Sequence, residues 1–287
     1  MRPHQWTKNL LCFAGAIFGY GLFKVSTTQA VLLDFYVFCI FCAASSAVYL
    51  INDIFDYERD RIHPAKQHRP IASGAISRPR AGILAVVLLA ASVASAAHMG
   101  IPTLVCVIVY ILNAAAYSMA LKHIVLIDVQ SVAIGFVLRM LAGVWCLNIS
   151  ATAWIVLCTY FLSLFLGFAK RRAELNSLGA LSVSQRPVLK EYEVKYLDTL
   201  VSGFGVMTMI SYALYTVASG RNPTLVITLP IVCYALMHYQ RLVMVEDLGE
   251  EPDRILLKDP GIIISAVAWV LTYIVVEYFG IHLFLFR

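Results

Sequence analysis

Charge is scarce in this sequence. Asp, Glu, Lys and Arg supply 14% of its 287 residues and apolar side chains 60%. A soluble domain of this size carries about 25% charged residues, so most of the chain has no water to face. Apolar–polar alternation in short segments is also missing, which excludes a membrane β-barrel. The seven histidines show no metal-ligand spacing. Of the seven cysteines, Cys39 and Cys42 form a C-x-x-C without the second pair or histidine cluster of a zinc site. They read as small buried hydrophobes. A cleavable signal peptide is not expected, because Ala14, Gly15 and Ala16 lie inside the first apolar run rather than after it. No nucleic-acid module is present, so nucleic acid is not an expected partner.

What is present is a series of long apolar runs. Nine of them, at 9–23, 29–51, 79–98, 101–120, 129–147, 151–169, 196–218, 224–243 and 261–284, approach the ~20 residues that cross a bilayer as a helix. Helices satisfy their backbone groups internally, as lipid requires. The expected fold is therefore all-α, a polytopic membrane protein forming one domain over residues 1–287. Eighteen Lys and Arg residues fall on one side of these spans and three, Lys24, Arg221 and Arg287, on the other. The positive-inside rule makes the first side cytoplasmic. An odd span number then puts the N-terminus inside and the C-terminus outside.

The inner side is also where chemistry concentrates. After the second span come Asn52, Asp53, Asp56 and Asp60, followed by Lys66 and Arg69. In a helix Asn52, Asp56 and Asp60 recur at four-residue intervals on one face. Stacked oxygens repel unless a cation intervenes, and hard oxygen ligands suit Mg²⁺, which binds one or two carboxylates together with substrate phosphates. Acids beside bases suggest a diphosphate held through metal. A solvated loop of compensating charges is the plainer alternative, and it explains less of the four-residue spacing. Tyr117, Lys122 and Asp128 follow the fourth span, and Lys170, Arg171, Arg172 and Glu174 the sixth. Simple topological anchoring is the competing reading of that last cluster. Arg139 lies ~15 Å into span five, where an arginine needs a partner or a cavity. A salt bridge to Asp128 or another acid is its structural alternative.

These residues resemble the UbiA superfamily of intramembrane prenyltransferases over nearly the whole chain. The specific match is Asn52, Asp53, Asp56 and Asp60 as the first aspartate-rich motif, with Tyr117 and Lys122 in place of the pair after span four. The resemblance implies helices around a lipid-accessible cavity, a charged cytoplasmic cap, and Mg²⁺ held by the motif against a substrate diphosphate. One departure is informative. The family's second acidic motif is replaced by Lys170, Arg171, Arg172 and Glu174. Together with Arg2, Pro3, Gln5, Trp6, Lys8 and Asn9, with His63, Pro64, Lys66, Arg69 and Pro70, and with Leu138 and Arg139, this is similar to the family's decaprenyl-phosphate phosphoribosyltransferase branch.

That resemblance implies a bacterial plasma-membrane enzyme for cell-envelope glycan precursors. It would transfer 5-phosphoribose from phosphoribosyl diphosphate to a polyprenyl phosphate, with a homo-oligomer permitted. Extra cations fit three anionic groups, since Arg holds phosphate bidentately and Lys acts as a point charge. The implied roles are metal binding by Asn52, Asp53, Asp56 and Asp60, and donor binding by Lys8, Tyr49, Lys66, Arg69, Tyr117 and Lys122. Lipid-phosphate binding falls to Arg139, Lys170, Arg171 and Arg172, and catalytic roles to Asp56 and Asp128. Prenyl transfer to an aromatic, quinone or haem precursor is the alternative enzyme, and it calls for the acidic motif this chain lacks. A transporter is a third class, disfavoured because the outer loops are short and nearly free of charge. Topology is testable directly: alkaline phosphatase fused at the C-terminus is expected to be active, and fused after Lys190 to be inactive. The reverse pattern contradicts the orientation.

Overall fold

The computed structural model describes residues 3–18, 27–62, 67–178, 187–220, 222–250 and 252–283, and among these there is no strand. A 3₁₀ helix, Pro3–Phe13, leads into α1, Ala14–Phe18. Then come α2, Thr27–Phe55, α3, Tyr57–Ile62, α4, Arg78–Met99, α5, Ile101–Met119, and α6, Ile127–Cys146. The later helices are α7, Ala153–Leu178, α8, Val194–Ala218, α9, Leu229–Met244, α10, Pro252–Lys258, and α11, Pro260–Tyr278. Among the described residues eight segments are long and apolar enough to span a membrane, and they coincide with eight of the nine expected runs. The remaining run, 9–23, begins in the 3₁₀ helix and α1, and its part beyond residue 18 lies outside the described residues.

Two expected boundaries move. The sixth span runs on to Leu178, so Lys170 to Glu174 occupy helix rather than loop. The second continues to Phe55, which makes the acidic motif helical. In both cases charged side chains extend a helix past its apolar run because they find partners there.

Contacts divide the chain into two compact units: residues 1–119 with 138–149, and residues 120–137 with 150–287. In the first, α2 packs on α4 and α5. α4 turns small residues inward (Ala81, Ala85, Ser92 and Ala96 are buried) and large ones such as Ile83 and Val86 outward. Small residues let helix backbones approach where lipid removes the hydrophobic drive, and branched apolar chains face the acyl phase. The opening 3₁₀ helix has three residues per turn, so Trp6, Asn9 and Cys12 share one face. Trp6 Nε1 donates to Ser46 Oγ at 3.3 Å, and Asn9 Nδ2 to Cys42 Sγ at 3.2 Å. In the second unit α7 packs along α8, with Phe165, Phe168, Leu197 and Tyr239 in its core.

Gly143 of α6 meets the main chain of the 3₁₀ helix so closely that a Cβ would clash with the Cys12 carbonyl oxygen. Helix propensity favours alanine over glycine by about 1 kcal/mol, but forced overpacking costs about 1–3 kcal/mol. Because the neighbour is backbone, the clash wins. Gly143→Ala is expected to lower the thermal midpoint of the detergent-purified protein. Gly203→Ala on α8, with nothing within 4 Å, is expected to leave it level or raise it.

Candidate active site

Backbone bonds carry the helical register from α2 into α3: Asp56 N donates to Asn52 O at 2.9 Å and Asp60 N to Asp56 O at 2.8 Å. At about 100° per residue, positions four apart differ by about 40° and positions seven apart by about 20°. Asn52 and Asp56 therefore form one stripe, and Asp53 and Asp60 a neighbouring one. Arg69 closes on the second stripe, its Nη1 donating to Asp53 Oδ1 at 3.2 Å and to Asp60 Oδ2 at 2.5 Å. The turn bearing Arg69 is fixed by Ser73 N donating to Arg69 O at 2.8 Å, and by Ile71 packing with Leu50, Ala81 and Ala85. Asp60 is thus grouped with Asp53 through arginine, not with Asn52 and Asp56 as spacing alone suggested.

Asn52 and Asp56 are half-buried. Among the described residues neither side chain takes part in an ion pair or a side-chain hydrogen bond. Tyr49, half-buried, stands one turn earlier on the same helix. Lys66 lies outside the described residues. Among the described residues no three His, Cys, Asp or Glu side chains could hold a metal by themselves. Magnesium takes one or two protein carboxylates and completes its shell with phosphate and water. The Asn52 and Asp56 oxygens fit that donor set.

Arg139 does not pair with Asp128. It is 7% exposed, and its Nε donates to Asn9 Oδ1 at 2.7 Å and its Nη2 to Tyr110 OH at 3.0 Å. Its guanidinium carbon stands 4.5 Å from the Tyr110 ring centre and 5.9 Å from that of Phe41. Cation–π and amide contacts of this kind hold a charge at membrane depth. Lys8 is half-buried beside Asn9, and Tyr117 half-buried in the last turn of α5.

In the second unit the basic cluster is largely consumed. Arg171 donates from Nε to Asp128 Oδ2 at 2.7 Å and from Nη1 to Glu174 Oε2 at 2.8 Å. Arg172 donates to Asp198 Oδ1 at 2.7 Å, to Asp247 Oδ1 at 2.8 Å and to the Val243 carbonyl at 2.7 Å. Asp128 is fully buried. Its second oxygen accepts from the Tyr192 hydroxyl at 3.0 Å. Lys170 is more open, its side chain 38% exposed and 4.0 Å from Glu174. Arg172 and Asn176 hold the Asp247 carboxyl below its ordinary range. That contribution to stability is present above the unfolded value of about 3.9 and is lost as pH falls through the lower folded value. Lys122 sits half-buried in a short 3₁₀ turn, Leu121–His123.

Residues 10–257 match the UbiA prenyltransferase family. The chain belongs to that family. It is 32% identical to decaprenyl-phosphate phosphoribosyltransferase from Corynebacterium glutamicum, over 97% of this chain and 85% of the relative. Identity is also 32% to the protein of that name from Mycobacterium tuberculosis, over 95% and 91%. The fold superposes on a UbiA homologue from Archaeoglobus fulgidus bound to GPP and Mg²⁺ with a TM-score of 0.75, at 22% identity over 95% of this chain and 97% of that one. This UbiA-family protein is thus a transferase and a multi-pass membrane protein.

Several of its engaged residues carried no sequence signal. Tyr110, Asp198, Asp247 and Tyr192 are partners of buried arginines or of Asp128, and each sits far from that partner in sequence. Asn9 was visible within a motif but not as an arginine acceptor. In this UbiA-family chain the difference between buried and open cations is measurable. Arg171→Met leaves Asp128 without its closest cation, and breaking a buried pair costs about 3–5 kcal/mol. Lys170→Met removes an exposed pair worth about 0–1 kcal/mol. Thermal unfolding in detergent is expected to show a large loss for the first and almost none for the second.

Proposed function

We propose that this protein transfers 5-phosphoribose from phosphoribosyl diphosphate to a polyprenyl phosphate, releasing diphosphate, in the plasma membrane of a bacterium making cell-envelope glycan precursors. The observation that carries the reading is the pair of open oxygens, Asn52 and Asp56, set beside two carboxylates already neutralised by Arg69. Relatives named for this activity at 32% identity over almost the full chain support it. So does the absence from the sequence of the second acidic motif after the sixth span, which the prenyl-transfer alternative calls for.

Asn52 and Asp56 would hold Mg²⁺, whose chemistry is to neutralise charge on a departing diphosphate. The protein's own groups bind and orient. Lys8, Lys66 and Lys122 receive donor oxygens, with Tyr49 and Tyr117 as hydrogen-bond donors. Arg69 acts on this site by fixing the acidic helix. A phosphate acceptor is already ionised near neutral pH, so no general base is required; positioning and electrostatics carry the rate. Arg139 and Lys170 are the cations assigned to the lipid phosphate. Arg171, Arg172 and Asp128 are assigned to holding the second unit together. The active side is the cytoplasmic one.

Membranes from an overproducing strain, given labelled phosphoribosyl diphosphate and polyprenyl phosphate, are expected to move label into the organic phase only when Mg²⁺ is present. Asp56→Ala is expected to reduce that transfer by about a hundred- to a thousand-fold, as loss of a principal electrostatic group does, while the protein remains folded. Label left in water with wild type, and appearing in lipid when a prenyl diphosphate and an aromatic acceptor are supplied, contradicts the reading.

A further inference from the structure

The turn that carries Lys122 is held in an unfavourable backbone conformation by a tyrosine sixty-six residues away. Leu126 has φ of 66°, in the left-handed region that a bulky residue occupies only when its surroundings impose it. Its N–H donates to the Tyr192 hydroxyl at 2.7 Å. That same hydroxyl donates to Asp128 Oδ1, whose other oxygen is taken by Arg171. The phenol therefore bridges the strained residue and a buried ion pair with both its hydrogen-bonding roles used. Burial, then the Asp128 carboxylate, pushes the phenol above its ordinary range, so it stays a donor at every physiological pH.

The geometry around the bridge runs in one direction. Asp128 N donates to Ile124 O at 3.0 Å and Gln130 N to Leu126 O at 3.0 Å, which starts α6 immediately after the turn. Ile124 N donates to Leu121 O at 3.1 Å and closes the 3₁₀ turn bearing Lys122. Val125 and Leu126 pack against the core that contains Leu189 and Tyr192. One residue in the left-handed region, between a short 3₁₀ turn and a long helix, thus sets the angle at which Lys122 leaves the helix.

We propose that Tyr192 is a positioning residue: it pins Leu126 in the left-handed conformation and so fixes the Lys122 turn against the start of α6. The inference rests on the function proposed above only for the donor that Lys122 meets. Asp128 and Arg171 belong to the same device, as the ion pair that orients the phenol.

The test is a double-mutant cycle on the full chain in detergent, using Tyr192→Phe, Leu126→Gly and their combination. Glycine takes a positive φ without steric cost, so it removes the need for the pin while sacrificing some packing. Hydrogen exchange of the peptide 120–128 is read first. Tyr192→Phe is expected to speed exchange there about ten-fold in the wild-type background and less than about two-fold in the Leu126→Gly background. The KM for phosphoribosyl diphosphate is read second and is expected to rise in the same unequal proportion, with kcat changed less. Equal changes in both backgrounds, or no change in exchange with Tyr192→Phe, overturn the pin. If wild type transfers no phosphoribose, the function proposed above fails by that result alone, while the exchange measurement still decides the role of Tyr192.

Discussion

A charged side chain at the edge of a bilayer is tolerated when another group neutralises it, and the arginine–carboxylate pairings of this protein decide which charges remain for chemistry. Coulomb attraction at contact distance strengthens sharply as water is excluded. The cost of leaving a buried charge alone rises with it. Arg69 on Asp53 and Asp60, Arg171 on Asp128 and Glu174, and Arg172 on Asp198 and Asp247 all satisfy that requirement. Once these are subtracted, the acidic motif is reduced to Asn52 and Asp56, and the basic cluster after the sixth span to Lys170. Three acids and one amide, with three bases, become in space one carboxylate and one amide outside any arginine pairing, and a lysine that shares Glu174 with Arg171.

The same constraint shapes the fold. Helices that carry charge outlast their apolar runs: α2 continues into the acidic motif and α7 through Lys170 to Glu174. Within the membrane the packing rule is size. On α4, alanine and serine lie at helix contacts while Ile83, Val86 and Val87 face outward. Gly143 against Cys12 is the closest of these approaches in the first unit, and it brings in the 3₁₀ helix whose Asn9 reaches Arg139.

Much of this was legible in the sequence. Of the nine apolar runs, eight coincide among the described residues with helices long and apolar enough to cross a membrane, because hydropathy over about twenty residues is a strong signal of a membrane helix. The acidic spacing placed Asn52 and Asp56 on one helical stripe correctly. What spacing could not supply was the partner of each charge. Asp60 stood four residues from Asp56 and was grouped with it, yet Arg69 pairs it with Asp53, seven residues back, where the helix has made almost two full turns. A salt bridge from Arg139 to Asp128, eleven residues earlier on its own helix, was the structural alternative that the sequence offered. The arginine uses Asn9 and Tyr110 instead, 130 and 29 residues away. Tyr192 was invisible because a tyrosine between two helices has no local mark of its role. Partner choice is a tertiary property, and one sequence does not encode it in any short pattern.

In the function proposed, pairing with Arg69 sorts the acidic motif and leaves Asn52 and Asp56 for Mg²⁺. Crystals grown with Mn²⁺ and pyrophosphate, measured at the manganese absorption edge, test it most directly. An anomalous peak is expected within coordination distance of the Asn52 and Asp56 side-chain oxygens, with Asp53 and Asp60 still bound to Arg69. A peak ligated by Asp53 and Asp60, with Arg69 displaced, contradicts it.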